Sequence, residues 1–432
     1  MKRLLAVLFL ILLSGVAGLG YLAVQSIEDS PLVTEQSTIA NTEQARRVKN
    51  LMQRFKAGSR TKNPWAELSV SEQDLESLLA FAARGMPNAR ADAQISERGL
   101  QAKLTIELPA NPMGRYFNLS FGLLPSEQGL VLSHFSLGGA SLPPDLLLPV
   151  IGSALDALLG NGNGAKIIGT VSAVRFSGKE MTLAYAPYEG GSKELISRIA
   201  ENEQLRIADP ERIQIYFARL QEIAAELRGG YVSLTRYMGP VFTLAVRRSA
   251  ADGGNAIDEN KAAILALAIY FGDDRMSKLA GNSEKNFFSS SRFGSHNVTI
   301  KGRHDLVQHY LTSAGLQLAA GVDIANAIGE FKEIADTLRG GSGFSFSDIA
   351  GDRAGVVLAE RAVNATNAKR IQDKLANVKS EAEFFPDIAG LPDNMTQTQF
   401  ESRFGDVESQ RYLDLMADIE RRIAQVPLYG AK

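Results

Sequence analysis

The chain has 432 residues, 45% of them apolar and 22% charged, with a formal net charge of -2 and no cysteine. That length allows two or three domains with cores of their own, in an ordinary globular composition. The lack of a basic excess argues against nucleic acid as a partner, and the lack of cysteine excludes disulfides, thiolate zinc sites, cysteine nucleophiles and the lipid-attachment cysteine of a bacterial lipoprotein.

The chain opens Met1-Lys2-Arg3 and then carries no charge until Glu28. Residues 4–24 form an apolar run of the length a helix needs to cross a bilayer, about 20 residues. Two readings compete. A cleaved signal peptide would use residues 4–13 as its apolar core and the small residues of 14–20 as its cleavage region. The run continues through Tyr21, Leu22 and Val24, which suits a retained anchor better. In both cases Lys2 and Arg3 stay in the cytoplasm and the bulk of the chain lies outside. The expectation is a single-pass protein of the bacterial inner membrane, with residues 1–27 as anchor and the rest in the periplasm. Residues 28–62 read as a juxtamembrane linker with a basic, solvated helix around Arg46, Arg47, Lys49, Arg54 and Lys56.

Residues 63–190 read as an α+β domain. Ser71 and Asp74 have capping-box spacing, and Leu75, Leu78, Leu79 and Ala82 form one helical stripe. From Ala89 the apolar period switches to two. Residues 102–108, 117–121, 129–137, 171–176 and 181–185 read as strands of an antiparallel sheet, punctuated by Pro109, Pro112, Pro125 and Gly178. Residues 145–159 read as an apolar helix. Its face of Leu146, Leu147, Leu148, Val150, Ile151, Leu155 and Leu158 is expected in the core. The alternative is a cavity for an apolar ligand.

Residues 191–432 read as a mainly helical domain. Helical spacing marks residues 193–203, 211–227, 257–271 and 406–426, and a charged amphipathic helix is expected over 361–383. Residues 231–249 are helical or mixed, interrupted by Pro240. Residues 282–297 are polar and serine-rich, as in a loop. The fold class is thus α+β: a transmembrane helix, an antiparallel β-rich domain with packed helices, and a helical C-terminal domain.

Reactive side chains concentrate in residues 303–360. The chain has four histidines; His304 and His309 fall here and His296 just upstream. Residues 304–320 read as a helix with Asp305, His309 and Ser313 on one face, from which His304 is rotated away. Asp323 can cap a helix over 324–338, where Glu330 and Glu333 share a face and Asp336 follows Glu333 by three. A glycine turn at 340–343 leads to a capping-box-like start at Ser345 and Asp348, with Asp352 one turn on. His309, Glu333, Asp336, Asp348 and Asp352 could hold a divalent metal, which would activate water for hydrolysis. Alternatively His309 is a general base oriented by Asp305 or Glu333, with Ser313 as nucleophile. The structural alternative is that these carboxylates cap helices, pair with Lys332, Arg339 and Arg353, and tie three helices together.

Residues 305–314 (DLVQHYLTSA), 329–336 (GEFKEIAD) and 341–348 (GSGFSFSD), with Asp352 and Gly355, resemble the YfiM-type bacterial envelope lipoproteins. Their pattern is an Asp-Lys-x-x-His-Phe helix, a Lys-Glu-x-x-Asp helix and a Gly-Ser-Gly-aromatic-Ser-aromatic turn into an Asp-bearing helix. More loosely, the arrangement is similar to VanZ-like membrane proteins. Leu306 stands where the first pattern has lysine, and the likeness does not extend to residues 1–295. The resemblance implies an envelope location and points to Asp305, His309, Glu333, Asp336, Asp348 and Asp352; it implies no particular reaction. The leading expectation is a structural or interaction role in the cell envelope. The alternatives are a metal-dependent hydrolase acting on a lipid or cell-wall component, and a binder of apolar or lipid ligands through the β-rich domain.

Overall fold

The computed structural model describes residues 27–34, 42–58, 65–86, 88–109, 114–159, 163–186, 209–227, 230–251, 254–272, 296–320 and 343–430. The apolar run 4–24 lies outside them. No helix among the described residues is long and apolar enough to cross a membrane. The chain divides into two units, residues 1–39 with 47–192 and residues 40–46 with 193–432. The whole is mixed, with antiparallel sheet in the first unit and mostly helix in the second, an α+β composition.

The first unit contains β1 (Ile27–Glu28), α1 (Thr42–Gly58, from Arg47 on), β2 (Ala66–Ser71), α2 (Glu72–Gly85), β3 (Ala89–Ser96), β4 (Gly99–Glu107), β5 (Tyr116–Leu124), β6 (Val131–Leu137), β7 (Ala140–Leu142), α3 (Leu147–Leu159), α4 (Asn163–Gly169), β8 (Val171–Ser177) and β9 (Glu180–Tyr185). One sheet has the order β3-β4-β5-β6-β7, with β1 pairing on β5; a second has the order β2-β9-β8. In residues 102–108 the alternating apolar side chains Ala102, Leu104, Ile106 and Leu108 are half-buried, and Thr105 on the opposite face is the buried one. Val70, Ala93, Ile95, Leu100, Leu123, Val174 and Met181 form the core with Leu51 of α1, and Leu75, Leu78 and Leu79 of α2 pack onto it. Leu51 is thus a core residue, and Arg54 bonds Asp74 at 2.7 Å, so the basic stretch belongs to a packed helix. The expected capping box is present: Asp74 N–H donates to Ser71 Oγ, and Ser71 N–H to Asp74 Oδ2, both at 3.1 Å.

Residues 27–33 are bound directly to this sheet. Ile27 pairs with Phe117 and Glu28 with Tyr116. Asn118, 2% exposed, donates to Glu28 Oε2 and Ser30 O at 2.5 and 2.9 Å and accepts from Leu32 N–H at 3.0 Å. Buried Thr105 accepts from Val33 N–H at 2.9 Å.

The apolar helix α3 departs from expectation. Leu147 is buried, but Leu146, Val150 and Ile151 are 49%, 58% and 38% exposed. The helix packs chiefly on α4 and on the short 3-10 turn before it, and these three side chains remain exposed.

The second unit contains α5 (Pro210–Glu226), β10 (Gly230–Ser233), α6 (Thr235–Ser249), α7 (Ala256–Phe271), β11 (His296–Thr299), α8 (His304–Ala320), α9 (Phe346–Val363), α10 (Ala368–Ala376), α11 (Gln397–Phe404) and α12 (Gln410–Ala424). Helix α7 is its centre: Ala262 to Ile269 are each at most 1% exposed. Two regions were misread from sequence. Residues 296 and 297, the end of the loop expected over 282–297, pair in parallel with β10 as part of β11. The expected helix over 361–383 breaks at Asn364, whose side chain accepts from Thr366 N–H at 3.0 Å, while Asn260 bonds the carbonyls of Ala362 and Ala368 across the break.

Helices α8 and α9 run side by side in the same direction: His309 meets Gly351, and Tyr310 and Ala314 meet Gly355. A Cβ on Gly355 would lie 2.0 Å from Tyr310 O, so the backbones touch there. Gly355→Ala must push the helices apart and is expected to cost about 3 kcal/mol, read as a lower urea midpoint.

Glu72 accepts from Ile95 N–H at 2.8 Å and from Lys179 Nζ at 2.6 Å. The Lys179 bond, then the Ile95 amide, holds its carboxyl below the ordinary glutamate range. A depressed carboxyl stabilises the fold above its unfolded pKa and loses that contribution as pH falls through the folded one. Glu72→Gln should therefore be about 1–2 kcal/mol less stable at pH 7, with the gap to wild type closing below about pH 4, as measured by urea unfolding across pH.

Candidate functional site

A tight turn places Arg303 at the head of α8: Ile300 and Arg303 bridge, with Lys301 and Gly302 at φ 53° and 77°. The Arg303 guanidinium donates to Asp305 at 3.1 and 2.5 Å, to Asp348 Oδ1 at 2.5 Å, to Asp393 Oδ2 at 2.8 Å and to Ser347 Oγ at 2.5 Å. One cation thus serves three carboxylates. The Asp305 bond, against the opposing pull of burial, raises Arg303 above its ordinary value, helped by the charges of Asp348, Asp305 and Asp393. Burial pushes the Asp305 carboxyl up, but the bonds and charge of Arg303, with the Leu306 amide and His309, together hold it low.

Behind this cation α8 and α9 share a buried polar seam. His309 Nδ1 lies 3.1 Å from Asp352 Oδ1, and His309 Nε2 lies 3.5 Å from Asp348 Oδ2. Ser313 Oγ donates to Asp352 Oδ1 at 2.7 Å. His309, Ser313, Asp348 and Asp352 are all 9% exposed or less. Two acceptors, Asp352 Oδ2 and Gln317 Oε1 on α8, are buried without a hydrogen-bond partner.

The start of α9 is capped from far along the chain. Ser345 makes no side-chain cap bond of the expected kind; its Oγ accepts from Asn394 N–H at 3.0 Å. Asp393 Oδ1 takes the Ser347 N–H at 3.0 Å instead. Phe344 and Phe346 flank the cap and pack with Phe400 and Tyr412, which ties the glycine-turn motif to α11 and α12.

The structure therefore brings His309, Ser313, Asp348 and Asp352 together and puts Asp305 at the edge of the cluster, on the Arg303 guanidinium it shares with Asp348. Asp305 faces Arg303, and the carboxylate on His309 Nδ1 is that of Asp352. The Ser313 proton goes to a carboxylate, whereas activation as a nucleophile needs it on a base such as the imidazole. Glu330, Glu333 and Asp336 lie outside the described residues. Among the described residues no three His, Asp or Glu side chains are arranged to hold a metal. The reason is geometric: Asp348 and Asp352 sit on opposite nitrogens of the His309 ring, so the three do not converge on one point. His304 Nδ1 donates to Val298 O at 2.8 Å, a bond to β11, and His296 belongs to that strand.

Arg303, Ser347 and Asp393 complete the site and were not singled out in the sequence. Asp393 lies ninety residues from Arg303, and no local signal links the two. A second buried carboxylate, Glu259, accepts from Tyr216 Oη at 2.6 Å, Arg212 at 2.9 Å and Arg248 at 2.8 Å; its one sequence signal was an acid in the first turn of a largely apolar helix. In comparisons with known proteins, no family, no curated protein and no solved structure matches the chain.

Arg303 is 28% exposed and Asp348 7%, between a surface pair worth about 0–1 kcal/mol and a buried one whose breaking costs about 3–5 kcal/mol. Arg303→Met should accordingly destabilise the protein by about 2–3 kcal/mol in urea unfolding. Arg353→Met, which loses a 3.5 Å contact to half-exposed Glu420, should change it by less than about 0.5 kcal/mol.

Proposed function

We propose that this is an interaction or scaffold protein of the bacterial cell envelope, tethered to the inner membrane by residues 4–24 with both units on the periplasmic side. The observation that carries the scaffold reading is the use of the reactive side chains within the fold. Ser313 and His309 share one carboxylate oxygen of Asp352, and Arg303 draws in Asp305, Asp348 and Asp393. These contacts join α8, α9 and the 393 loop, which is what a clamp does. A metal-dependent hydrolase has less support, because the described part of the cluster does not converge on one point. The tether rests on the charge pattern of residues 1–28 and on the resemblance of residues 303–360 to envelope proteins. A second reading, contact with an apolar or lipid ligand through the β-rich unit, is supported by the exposed Leu146, Val150 and Ile151.

The compartment is tested by fractionation. The full chain should stay with the membrane pellet through alkaline carbonate extraction and be digested by protease added to spheroplasts. A chain lacking residues 1–26 should be released. Recovery of the intact chain in the soluble fraction, or its protection from external protease, would contradict the proposal.

A further inference from the structure

Arginines on α5 and α6 are mostly neutralised within the fold. Arg212 and Arg248 bond Glu259, and Arg219 bonds Glu222. Arg236 and Arg247 are exposed and make no ion pair or side-chain hydrogen bond with the described residues. Both line one groove of about 1140 Å³ that runs between α5, α6 and the turn after α10, with Lys379 also on its wall.

The placement of the two arginines follows from helix geometry. Arg236, Pro240, Thr243 and Arg247 recur at intervals of four, three and four, which is one stripe of α6. At a rise of about 1.5 Å per residue the two arginine positions are about 16 Å apart along the groove. The middle of the stripe is short or cyclic, so the channel between them stays open. Pro240 lies inside the helix and has no N–H, so the Arg236 carbonyl lacks its helical donor. Ile215, Ala218 and Leu244 supply an apolar surface beside the stripe. With Glu222 neutralised by Arg219, Glu226 is the one anion of the lining set against Arg236, Arg247 and Lys379.

We propose that this groove binds an extended acidic segment of a partner protein, with one carboxylate on Arg236, a second on Arg247 and a small apolar side chain between them. Cations at the two ends of a channel fit a ligand carrying two separated anions, whereas a single phosphate site needs its cations to converge. An extended chain rises about 3.3 Å per residue with successive side chains on opposite faces, so two acids on the groove-facing side near this separation stand four or six positions apart. The inference deepens the interaction reading and rests on it, but not on the compartment.

The test uses the purified full chain in detergent, fluorescence anisotropy, and short labelled peptides of Ser and Leu carrying two Asp at spacings from three to seven. Binding should favour spacings of four or six over three, five and seven. It should be lost when both Asp are replaced by Asn, and Arg236→Ala/Arg247→Ala should weaken it by at least about tenfold without changing the melting temperature. Arg421→Ala, on α12 away from the groove lining, should bind as wild type. No binding by the wild-type chain, equal binding of the Asn peptides, no effect of the double variant, or complete displacement by equimolar inorganic phosphate would each overturn the proposal. Preferential capture of anionic vesicles over the peptides would also overturn it in favour of a lipid surface. A fractionation result against the envelope would leave this outcome untouched, so the two failures can be told apart.

Discussion

Arg303 is the charge around which the second unit closes. Asp348 and Asp352 lie on a helix with almost no solvent contact, where an uncompensated carboxylate would cost several kcal/mol. Arg303 reaches Asp348 from the end of α8, and His309 lies between Asp348 and Asp352. The same guanidinium holds Asp393, which caps α9. Without this cation the buried Asp348 carboxylate would face partly exposed Asp305 and Asp393 with no compensating charge. The close approach of the α8 and α9 backbones depends on Gly355, where a Cβ would lie 2.0 Å from Tyr310 O. Farther along the pair the seam changes character. Tyr310 and Tyr429 bond each other at 2.9 Å, and Tyr429 donates to Phe384 O at 2.8 Å. Burial raises both phenols well above their ordinary value, which keeps them neutral donors and fastens the C-terminal segment to the helix pair.

The first unit has a polar fastening of its own, at the opposite end of the chain. Asn118 and Thr105 are buried in the middle of strands, where polar side chains need partners. They find them in residues 28–33 and in each other, Thr105 Oγ1 donating to Asn118 Oδ1 at 2.7 Å. The chain is thus joined to the sheet within three residues of Val24. If residues 4–24 cross a bilayer, the β-rich unit is held close to its surface, and residues 28–33 give it little slack.

Local rules made much of this architecture legible. Period-two alternation marks β4 and β5, the Ser71–Asp74 spacing marks the start of α2, and the unbroken apolar run after Lys261 marks α7 as central. At the candidate site the one-turn spacings His309–Ser313 and Asp348–Asp352 placed the right pairs on the right faces. What could not be read was anything settled by distant chain. The start of α9 resembles a self-contained capping box, yet Asp393 and Asn394 take over its bonds. Arg303 only bounds the reactive stretch in sequence, and its role depends on Asp393, which arrives from ninety residues away. β10 and β11 are four residues each, and only their parallel pairing makes them strands. Leu146, Val150 and Ile151 were expected in the core because apolar stripes usually are, but the stripe of α3 exceeds what α4 can cover.

The central claim is that α8 and α9 are held by mutual polar contacts rather than by two independent sets. A double-mutant cycle on Arg303→Met and Asp348→Asn, measured by equilibrium urea unfolding of the full chain, tests it most directly. A shared clamp predicts that the two substitutions are coupled by about 1 kcal/mol or more, the double variant losing less than the two singles combined. Additivity to within about 0.3–0.5 kcal/mol would mean that the two residues act separately, and would contradict the account.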